Sequence, residues 1–201
     1  YTLGWDASNR INKVNGPDGV AYSYGYDGQG DLTSVTYPNG TATGDTRNYV
    51  YNEAAHTNNN VYPHFLTGIV EPGNKRFATF KYDSSKRAVM STHAGGAQQT
   101  SFAYTSDTEV QITGALGSSS TFTYTTNNGV RLITSRTQAA GAGCAASSSK
   151  IEYDANGNKA LEDDFNGNRT CFVSTGTNEG GAASVPNLLK VKVEGLVGTT
   201  G

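Results

Sequence analysis

The amino-acid sequence predicts an all-β fold made of repeated antiparallel β-hairpins. An aromatic residue followed by an acid or its amide recurs about every twenty to thirty residues, a period typical of repeat architectures. The composition agrees, because 25 Gly, 12 Tyr and only 16% charged residues suit strands joined by many tight turns. The complete copies of the motif are Trp5-Asp6, Tyr26-Asp27, Tyr51-Asn52, Tyr82-Asp83 and Tyr153-Asp154, and copies that lack the acid are predicted at Tyr104-Thr105 and Tyr124-Thr125.

Each unit begins with a strand that carries the motif. In the second unit, Tyr22, Tyr24 and Tyr26 alternate with small residues, which is the period-two pattern of a half-buried strand. Residues 28–30 read Gly-Gln-Gly and predict a turn, and residues 32–37 predict a second strand. We therefore expect each unit to contain two antiparallel strands and two turns.

The second strand of each unit carries an aliphatic pair three residues apart. This spacing breaks the alternation of an ordinary strand, so it predicts a β-bulge or a strong twist at that place. The acid that follows the aromatic residue is expected to accept hydrogen bonds from backbone N–H groups of the next turn, which is a structural role. The clearest aliphatic pairs are Ile11/Val14, Leu32/Val35 and Leu66/Ile69.

The repeat array is predicted to occupy residues 1–175 as about seven degenerate units, and residues 176–201 form a divergent end. In that end, Leu189, Val191 and Val193 alternate with charged residues, as a final strand would. Because the chain begins inside a repeat, we expect it to be a fragment of a longer protein. Loops are predicted at residues 56–61, 139–149 and 177–185.

These units resemble the Rhs/YD-repeat family over residues 1–175. The best matches to its motif run from Tyr24 to Val35 and from Tyr153 to Asn158. The resemblance implies a β-sheet strip that spirals into a hollow shell. In bacterial members such a shell encloses a C-terminal toxin, and in animals the same architecture occurs in teneurin adhesion receptors. The Asp-Pro autocleavage motif of the bacterial members is absent from this sequence.

The resemblance also implies partners and a location. The partners would be the rest of a longer chain and an enclosed toxin domain, and the protein would be secreted or lie at the cell surface. A net charge of −2 gives no electrostatic footprint for nucleic acid. No apolar run approaches the ~18 residues of a membrane span.

Two cysteines, Cys144 and Cys171, lie in a segment that is similar to one found in bacterial Rhs proteins. An even count in a sequence rich in Thr, Gly and Ser favours one disulfide, which would contribute about 3 kcal/mol if the geometry allowed it. Two free thiols are the alternative. Two sulfur atoms alone make a poor metal site.

The spacing Asp154-x-Asn156-x-Asn158 matches the opening of a calcium-binding loop. The pattern then requires Gly at its sixth position and Glu at its twelfth, where this chain has Lys159 and Phe165. The match fails, and the sequence predicts a turn instead.

The other polar clusters in the sequence likewise do not match the pattern of a known catalytic or metal-binding site. The acidic run from Glu162 to Asp164 predicts a solvated loop, with a weak cation site as the alternative. The histidines at positions 56, 64 and 93 lack the spacing of metal ligands. Nothing in the sequence places two carboxylates across a sugar, as glycoside hydrolysis requires. We therefore predict no catalytic, cofactor-binding or metal-binding residues.

The sequence thus predicts a non-catalytic structural segment of an Rhs/YD-type extracellular shell that encloses or presents a cargo domain. The alternative is a cell-surface adhesin or a self-assembling fibre subunit. Exposed tyrosines bordered by Asn, Asp and Gln could then stack on the faces of sugars, and an unpaired sheet edge could join copies end to end. An enzyme is the least supported class.

Overall fold

A computed structural model describes residues 1–17, 19–38, 44–141, 143–174 and 189–197. The predicted all-β class is confirmed, since this part of the chain contains sixteen strands and two single-turn 3-10 helices, Ala54–His56 and Ala94–Gly96. The chain divides into two compact units, Tyr1–Ser101 and Phe102–Gly201. The loop predicted at residues 177–185 lies outside the described residues.

In both units the strands follow one another in the sheet in chain order, and the paired neighbours are antiparallel. Most consecutive strands are joined by short connections, as in a chain of hairpins, and the longer loop of residues 52–65 between β5 and β6 is an exception. The first unit contains β1 (Thr2–Trp5), β2 (Ile11–Asn15), β3 (Ala21–Tyr26), β4 (Leu32–Tyr37), β5 (Asp45–Tyr51), β6 (Leu66–Glu71), β7 (Lys75–Tyr82), β8 (Ala88–His93) and the start of β9 (Thr100–Ser106). The second contains the end of β9, β10 (Glu109–Thr113), β11 (Ser119–Asn127), β12 (Val130–Gln138), β13 (Ser147–Tyr153), β14 (Lys159–Asp163), β15 (Asn168–Ser174) and β16 (Leu189–Val197).

The β-bulge predicted from the aliphatic spacing is confirmed. In the hairpin of β3 and β4, Gly25 pairs with Ser34 and Tyr26 pairs with Leu32, so Thr33 is an extra residue. An extra residue bends its strand and increases the local twist. The same register shift occurs in six hairpins, always beside the aromatic residue, with the extra residues Asn12, Thr33, Thr67, Val89, Thr134 and Ala160.

The turns after the four aromatic–aspartate pairs share one backbone form. A residue with positive φ occupies the fourth position of each turn, which is typical of a type I turn followed by a G1 bulge. Glycine adopts this conformation without strain, as Gly30 does at φ 94° and Gly157 at φ 85°. The corresponding residues of two other turns are Asn9 and Lys86.

Few side chains are deeply buried in the described part of the chain. The buried apolar residues are Val35, Tyr62, Ala78 and Val110, and two threonines have no exposed surface. Most strand residues are only half covered, so each unit has no thick core of its own. No helix among the described residues is long and apolar enough to cross a membrane.

The disulfide predicted between Cys144 and Cys171 is corrected to two free thiols. Cys144 is exposed in the connection between β12 and β13, where its backbone forms an isolated β-bridge with Gly141. Cys171 lies in β15 and pairs with Leu161 of β14. Strand β14 lies between β13 and β15 in the sheet order, so the two cysteines belong to elements that are not paired with each other.

Candidate functional site

The aspartate of the motif organises the turn that follows it. Oδ1 of Asp154 accepts hydrogen bonds from the backbone N–H groups of Asn156 and Asn158, both at 2.9 Å. Its Oδ2 accepts a third bond from Nδ2 of Asn158 at 3.0 Å. We name this five-residue arrangement an aspartate turn. The same pair of backbone bonds occurs at Asp6 from Ser8 and Arg10, at Asp27 from Gln29 and Asp31, and at Asp83 from Ser85 and Arg87.

These bonds favour the ionised carboxylate. The side-chain hydrogen bond from Asn158 is the main cause that lowers the pKa of Asp154 below its usual value of 3.8. The backbone N–H of Arg10 does the same for the pKa of Asp6. At Asp83, partial burial acts to raise the pKa, but hydrogen bonds from Arg87 outweigh it and the pKa is lowered.

The role of Asp164 in a fifth aspartate turn was not predicted. Oδ1 of Asp164 accepts from the backbone N–H groups of Asn166 at 2.8 Å and Asn168 at 2.9 Å. The acidic run, which was predicted to be a solvated loop, makes contacts at all three residues. Besides the turn at Asp164, Glu162 forms an ion pair with Lys159 and Asp163 forms one with Arg169. A usable signal was present: residues 154–158 and 164–168 share the spacing Asp-x-Asn-Gly-Asn.

The tyrosine of the motif reaches back to the previous hairpin. Its hydroxyl donates a hydrogen bond to a backbone carbonyl of that hairpin, and the acceptor is the residue directly before the extra residue of the bulge. A bulge disrupts the regular pattern of backbone hydrogen bonds, so this carbonyl needs another donor. We name this contact the tyrosine bond. It joins Tyr26 to Ile11 at 2.9 Å, Tyr51 to Leu32 at 3.0 Å, Tyr82 to Leu66 at 2.8 Å and Tyr153 to Ile133 at 2.8 Å.

Two members of the predicted motif depart from this arrangement. Trp5 has no hydroxyl group and its side chain is 57% exposed. Asn52 has a positive φ of 53°, and its Oδ1 accepts a hydrogen bond from the backbone N–H of Tyr62 at 2.7 Å. The backbone N–H of Asn52 donates to the carbonyl of Phe65 at 3.0 Å. Asn52 therefore closes the loop of residues 52–65.

That loop, part of which was predicted to be a simple insertion, packs against the sheet. Thr57 has no exposed surface, and its hydroxyl donates to the carbonyl of Asn60 at 2.6 Å. Tyr62 is buried, and its hydroxyl donates a hydrogen bond to the carbonyl of Ser84 at 3.0 Å. The loop thus contacts the aspartate turn of the next hairpin.

An ion pair fixes the start of the same loop. Both guanidinium Nη atoms of Arg76 donate to the carboxylate of Glu53, at 3.0 and 2.7 Å, and Nη2 also donates to the carbonyl of Thr67 at 2.7 Å. The hydrogen bond from Arg76 lowers the pKa of Glu53. The guanidinium lies directly over Gly68, where a Cβ atom would be 2.1 Å from its Cζ.

One face of the first unit carries an exposed aromatic stripe. The rings of Tyr22 and Tyr37 meet edge to face at 5.9 Å. The guanidinium of Arg47 lies between the rings of Tyr37 and Phe77, at 6.0 and 5.9 Å, and Phe77 lies 4.7 Å from the ring of His93. Between 36% and 39% of each of Tyr22, Tyr37 and Phe77 is exposed. We define the aromatic stripe as these five residues.

No three His, Cys, Asp or Glu side chains among the described residues could hold one metal ion. Each carboxyl group with a shifted pKa is shifted downward, which favours the ionised form. The three histidines have separate neighbours: His56 is 3.9 Å from Glu53, His64 is 3.0 Å from Asp31, and His93 contacts Phe77.

Replacing Asp154 with alanine is expected to lower the free energy of unfolding by about 1–2 kcal/mol, because two backbone N–H groups and one side-chain amide lose their acceptor. Asparagine retains one acceptor oxygen, so Asp154→Asn should cost less. Urea unfolding followed by circular dichroism measures both variants. Equal stability of the alanine variant and the wild type would show that the turn does not depend on this carboxylate.

The same pair of proteins tests the pH dependence. The folded-state pKa of Asp154 is below 3.8, so its contribution is complete above about pH 4 and is lost as the pH falls through the folded pKa. The Asp154→Asn variant has no carboxylate at this position. Its stability should therefore fall less steeply than that of the wild type when urea unfolding is repeated at acid pH.

Comparison with known proteins finds one family match and several solved structures of similar fold. The sequence profile of the RHS Repeat family matches residues 5–42, which contain the first two aspartate turns. No curated protein sequence matches the chain. Among solved structures, the chain is similar to the crystal structure of TcdB2-TccC3-TEV, with 12% identity and a TM-score of 0.50 over 92% of this chain. It is likewise similar to that of TcdB2-TccC3, with 10% identity and a TM-score of 0.50 over 89% of this chain.

At these identities the likeness to the solved structures is one of fold. The chain spans only 12% and 10% of the lengths of those two solved chains. The family match at residues 5–42 and the similar fold of the solved structures confirm the predicted resemblance to Rhs/YD repeats.

Proposed function

We propose that this chain is a non-catalytic wall segment of an Rhs/YD-type shell, which encloses or presents a cargo domain outside the cell that makes it. The observation that carries the proposal is the tyrosine bond together with the aspartate turn. Four tyrosine hydroxyls hold a hairpin to the hairpin before it, and the aspartates hold the turns. The motif residues are thus engaged in building a continuous sheet.

The burial pattern supports a role as part of a larger wall. A sheet whose residues are mostly half covered has apolar surface that further protein can bury. The rest of a longer chain is the partner that best fits, because this chain covers only 12% of the solved chain of similar fold. A toxin domain inside the shell is the proposed cargo.

The electrostatics support a non-enzymatic role. A general acid at neutral pH needs a raised carboxyl pKa, whereas the shifted carboxyl groups described above all have lowered pKa values. They are held by turn amides or by guanidinium groups, which fix the position of the backbone. A carboxylate engaged in this way stabilises the fold.

Protease protection of a cargo domain tests the proposal. The intact protein that carries this chain is treated with a broad-specificity protease, and the surviving fragments are identified by mass spectrometry. We expect a second polypeptide or C-terminal domain to survive until the β-structure is denatured. The same protein in urea is the matched control, since there the cargo should be cleaved at once. Cleavage of that domain at equal rates in the native and unfolded protein would contradict enclosure.

The aromatic stripe favours a second candidate, a surface adhesin that binds carbohydrate. Exposed rings can stack on sugar faces, and Tyr37 and Phe77 present such rings on the same side of the first unit. Binding of the intact protein to immobilised glycans would test it. The variant Phe77→Ala should lose binding, whereas Leu116→Ala, at a 99% exposed residue of the second unit, should retain it. Binding to no glycan would remove this candidate.

A further inference from the structure

An Asn-Gly pair can react with itself through its backbone, and the four described pairs differ in how far hydrogen bonds hinder that reaction. The backbone nitrogen of the glycine can attack the side-chain amide carbon of the asparagine, because glycine has no side chain to hinder the approach. The attack requires a glycine N–H that is not already bound to an acceptor. The four pairs are Asn15-Gly16, Asn128-Gly129, Asn156-Gly157 and Asn166-Gly167.

Three of the four glycine N–H groups are held by the backbone. The N–H of Gly16 donates to the carbonyl of Val20 at 2.7 Å. In two aspartate turns, the N–H of Gly157 donates to Asp154 and that of Gly167 donates to Asp164, both at 3.0 Å. Attack at these sites therefore first requires a hydrogen bond to open.

The asparagines of the same turns are also restrained. The backbone N–H groups of Asn156 and Asn166 donate to the aspartate carboxylates at 2.9 and 2.8 Å. Asn15 belongs to β2, and its side-chain amide donates to the hydroxyl of Thr2 at 3.0 Å. The rotation that brings the amide carbon to the next nitrogen must break these contacts as well.

Asn128-Gly129 has none of this protection. The two residues are the whole connection between β11 and β12, since Asn127 pairs directly with Val130. Both have positive φ angles, 50° and 79°, as in a type I′ turn. Both are exposed, and within the described residues neither the N–H of Gly129 nor the side-chain amide of Asn128 has a hydrogen-bond partner.

We propose that Asn128 is a site of spontaneous deamidation, selected from the four pairs by the fold. The nitrogen of Gly129 bonds to the side-chain amide carbon of Asn128, the bond from that carbon to Nδ2 breaks, and ammonia leaves. The cyclic imide that results is opened by water. Depending on which carbonyl the water attacks, the product is aspartate or isoaspartate.

The modification changes the hairpin in two ways. A neutral amide becomes a carboxylate, and in isoaspartate the backbone gains one methylene group within a two-residue turn. The neighbouring Asn127 donates from Nδ2 to the carbonyls of Asp154 and Ala155, at 3.2 and 3.3 Å. The longer turn shifts Asn127 and weakens its contact with the adjacent aspartate turn.

Mass spectrometry of the intact protein that carries this chain tests the proposal. One sample is incubated folded in mildly alkaline buffer, and a second is incubated unfolded in urea. Peptides with each Asn-Gly pair are followed by the mass change from NH2 to OH, and isoaspartate is detected by enzymatic methylation. In urea the four pairs should react at comparable rates. In the folded protein Asn128 should keep the rate that it has in urea. The other three asparagines should react at least about fivefold more slowly than in urea, which is the factor for one net hydrogen bond of about 1 kcal/mol.

The variant Asn128→Gln is the control for the assignment. It should abolish the signal from this peptide and leave the other three rates unchanged. Survival of Asn128 in the folded protein for as long as Asn156 and Asn166 would overturn the proposal. Equal conversion of all four pairs in the folded protein would also overturn it, because the fold would then make no selection.

Discussion

Replacing Gly68 with alanine is expected to lower the opening free energy of the β6–β7 hairpin by about 2–3 kcal/mol, because Arg76 would have to leave its place. The new Cβ atom would lie 2.1 Å from Cζ of Arg76. That guanidinium bonds both carboxylate oxygens of Glu53 and the carbonyl of Thr67. Its Nε also donates to the carbonyl of Ala78 at 3.0 Å. Hydrogen exchange of peptides from this hairpin measures the loss.

A double-mutant cycle separates this explanation from a general effect of replacing glycine. In the background Arg76→Ala, the substitution Gly68→Ala should cost almost nothing, because the group that it displaces is gone. The matched control is Gly28→Ala, where a Cβ atom would meet nothing within 4 Å. Additive effects of Gly68→Ala and Arg76→Ala would show that the cost arises elsewhere.

Removing the side chain of Tyr82 is expected to have an effect of similar size. Tyr82→Ala loses the ring contact with Phe65, at 4.8 Å, and the tyrosine bond to Leu66, and should cost about 2–4 kcal/mol. Tyr82→Phe keeps the ring and loses only the hydroxyl, so it should cost about 1 kcal/mol. Urea unfolding followed by circular dichroism measures both variants.

The control is a tyrosine of the same strand type whose hydroxyl is not used. In the described residues the hydroxyl of Tyr24 has no hydrogen-bond partner, so Tyr24→Phe should leave the stability unchanged. If Tyr82→Phe were equally neutral, the tyrosine bond would not contribute to stability. Burial raises the pKa of Tyr82 above 10.0, so its contribution is complete below about pH 10 and is lost as the pH rises through the folded pKa.

The local features of the fold could be predicted because each depends on residues close in sequence. The spacing of Leu32 and Val35 revealed the bulge, since one extra residue shifts an aliphatic side chain from the second to the third position. The glycine at position 30 and the acid at position 27 revealed the turn, because positive φ and turn amides demand those residue types. The all-β class and the antiparallel pairing could be predicted from the alternation of residues in the strands and from the turn residues between them.

The contacts between hairpins could not be predicted in the same way. Glu53 and Arg76 are separated by 23 residues, and neither belongs to a repeat motif. The tyrosine bond depends on the direction of a ring across a neighbouring strand, which the alternation of residues does not encode. The count of two cysteines likewise says nothing of the strand that separates Cys144 from Cys171, and the thiols are free.

Asp164 is a different kind of omission. Its turn has the same spacing of Asn, Gly and Asn as the turn at Asp154, but no aromatic residue precedes it. The predicted motif joined the aspartate to a preceding aromatic residue, whereas in the structure the two residues have separate roles. The aspartate shapes the turn, and the tyrosine attaches the hairpin to its predecessor.

All four tyrosine bonds run from a later strand to an earlier one, across 15 to 20 residues of sequence. During synthesis, each acceptor carbonyl therefore leaves the ribosome before the tyrosine that will bind it. Contacts between residues so close in sequence form quickly, and nascent chains fold from the N-terminal side. The sheet can thus form from its N-terminal side, with each completed hairpin presenting the acceptor carbonyl for the tyrosine of the next.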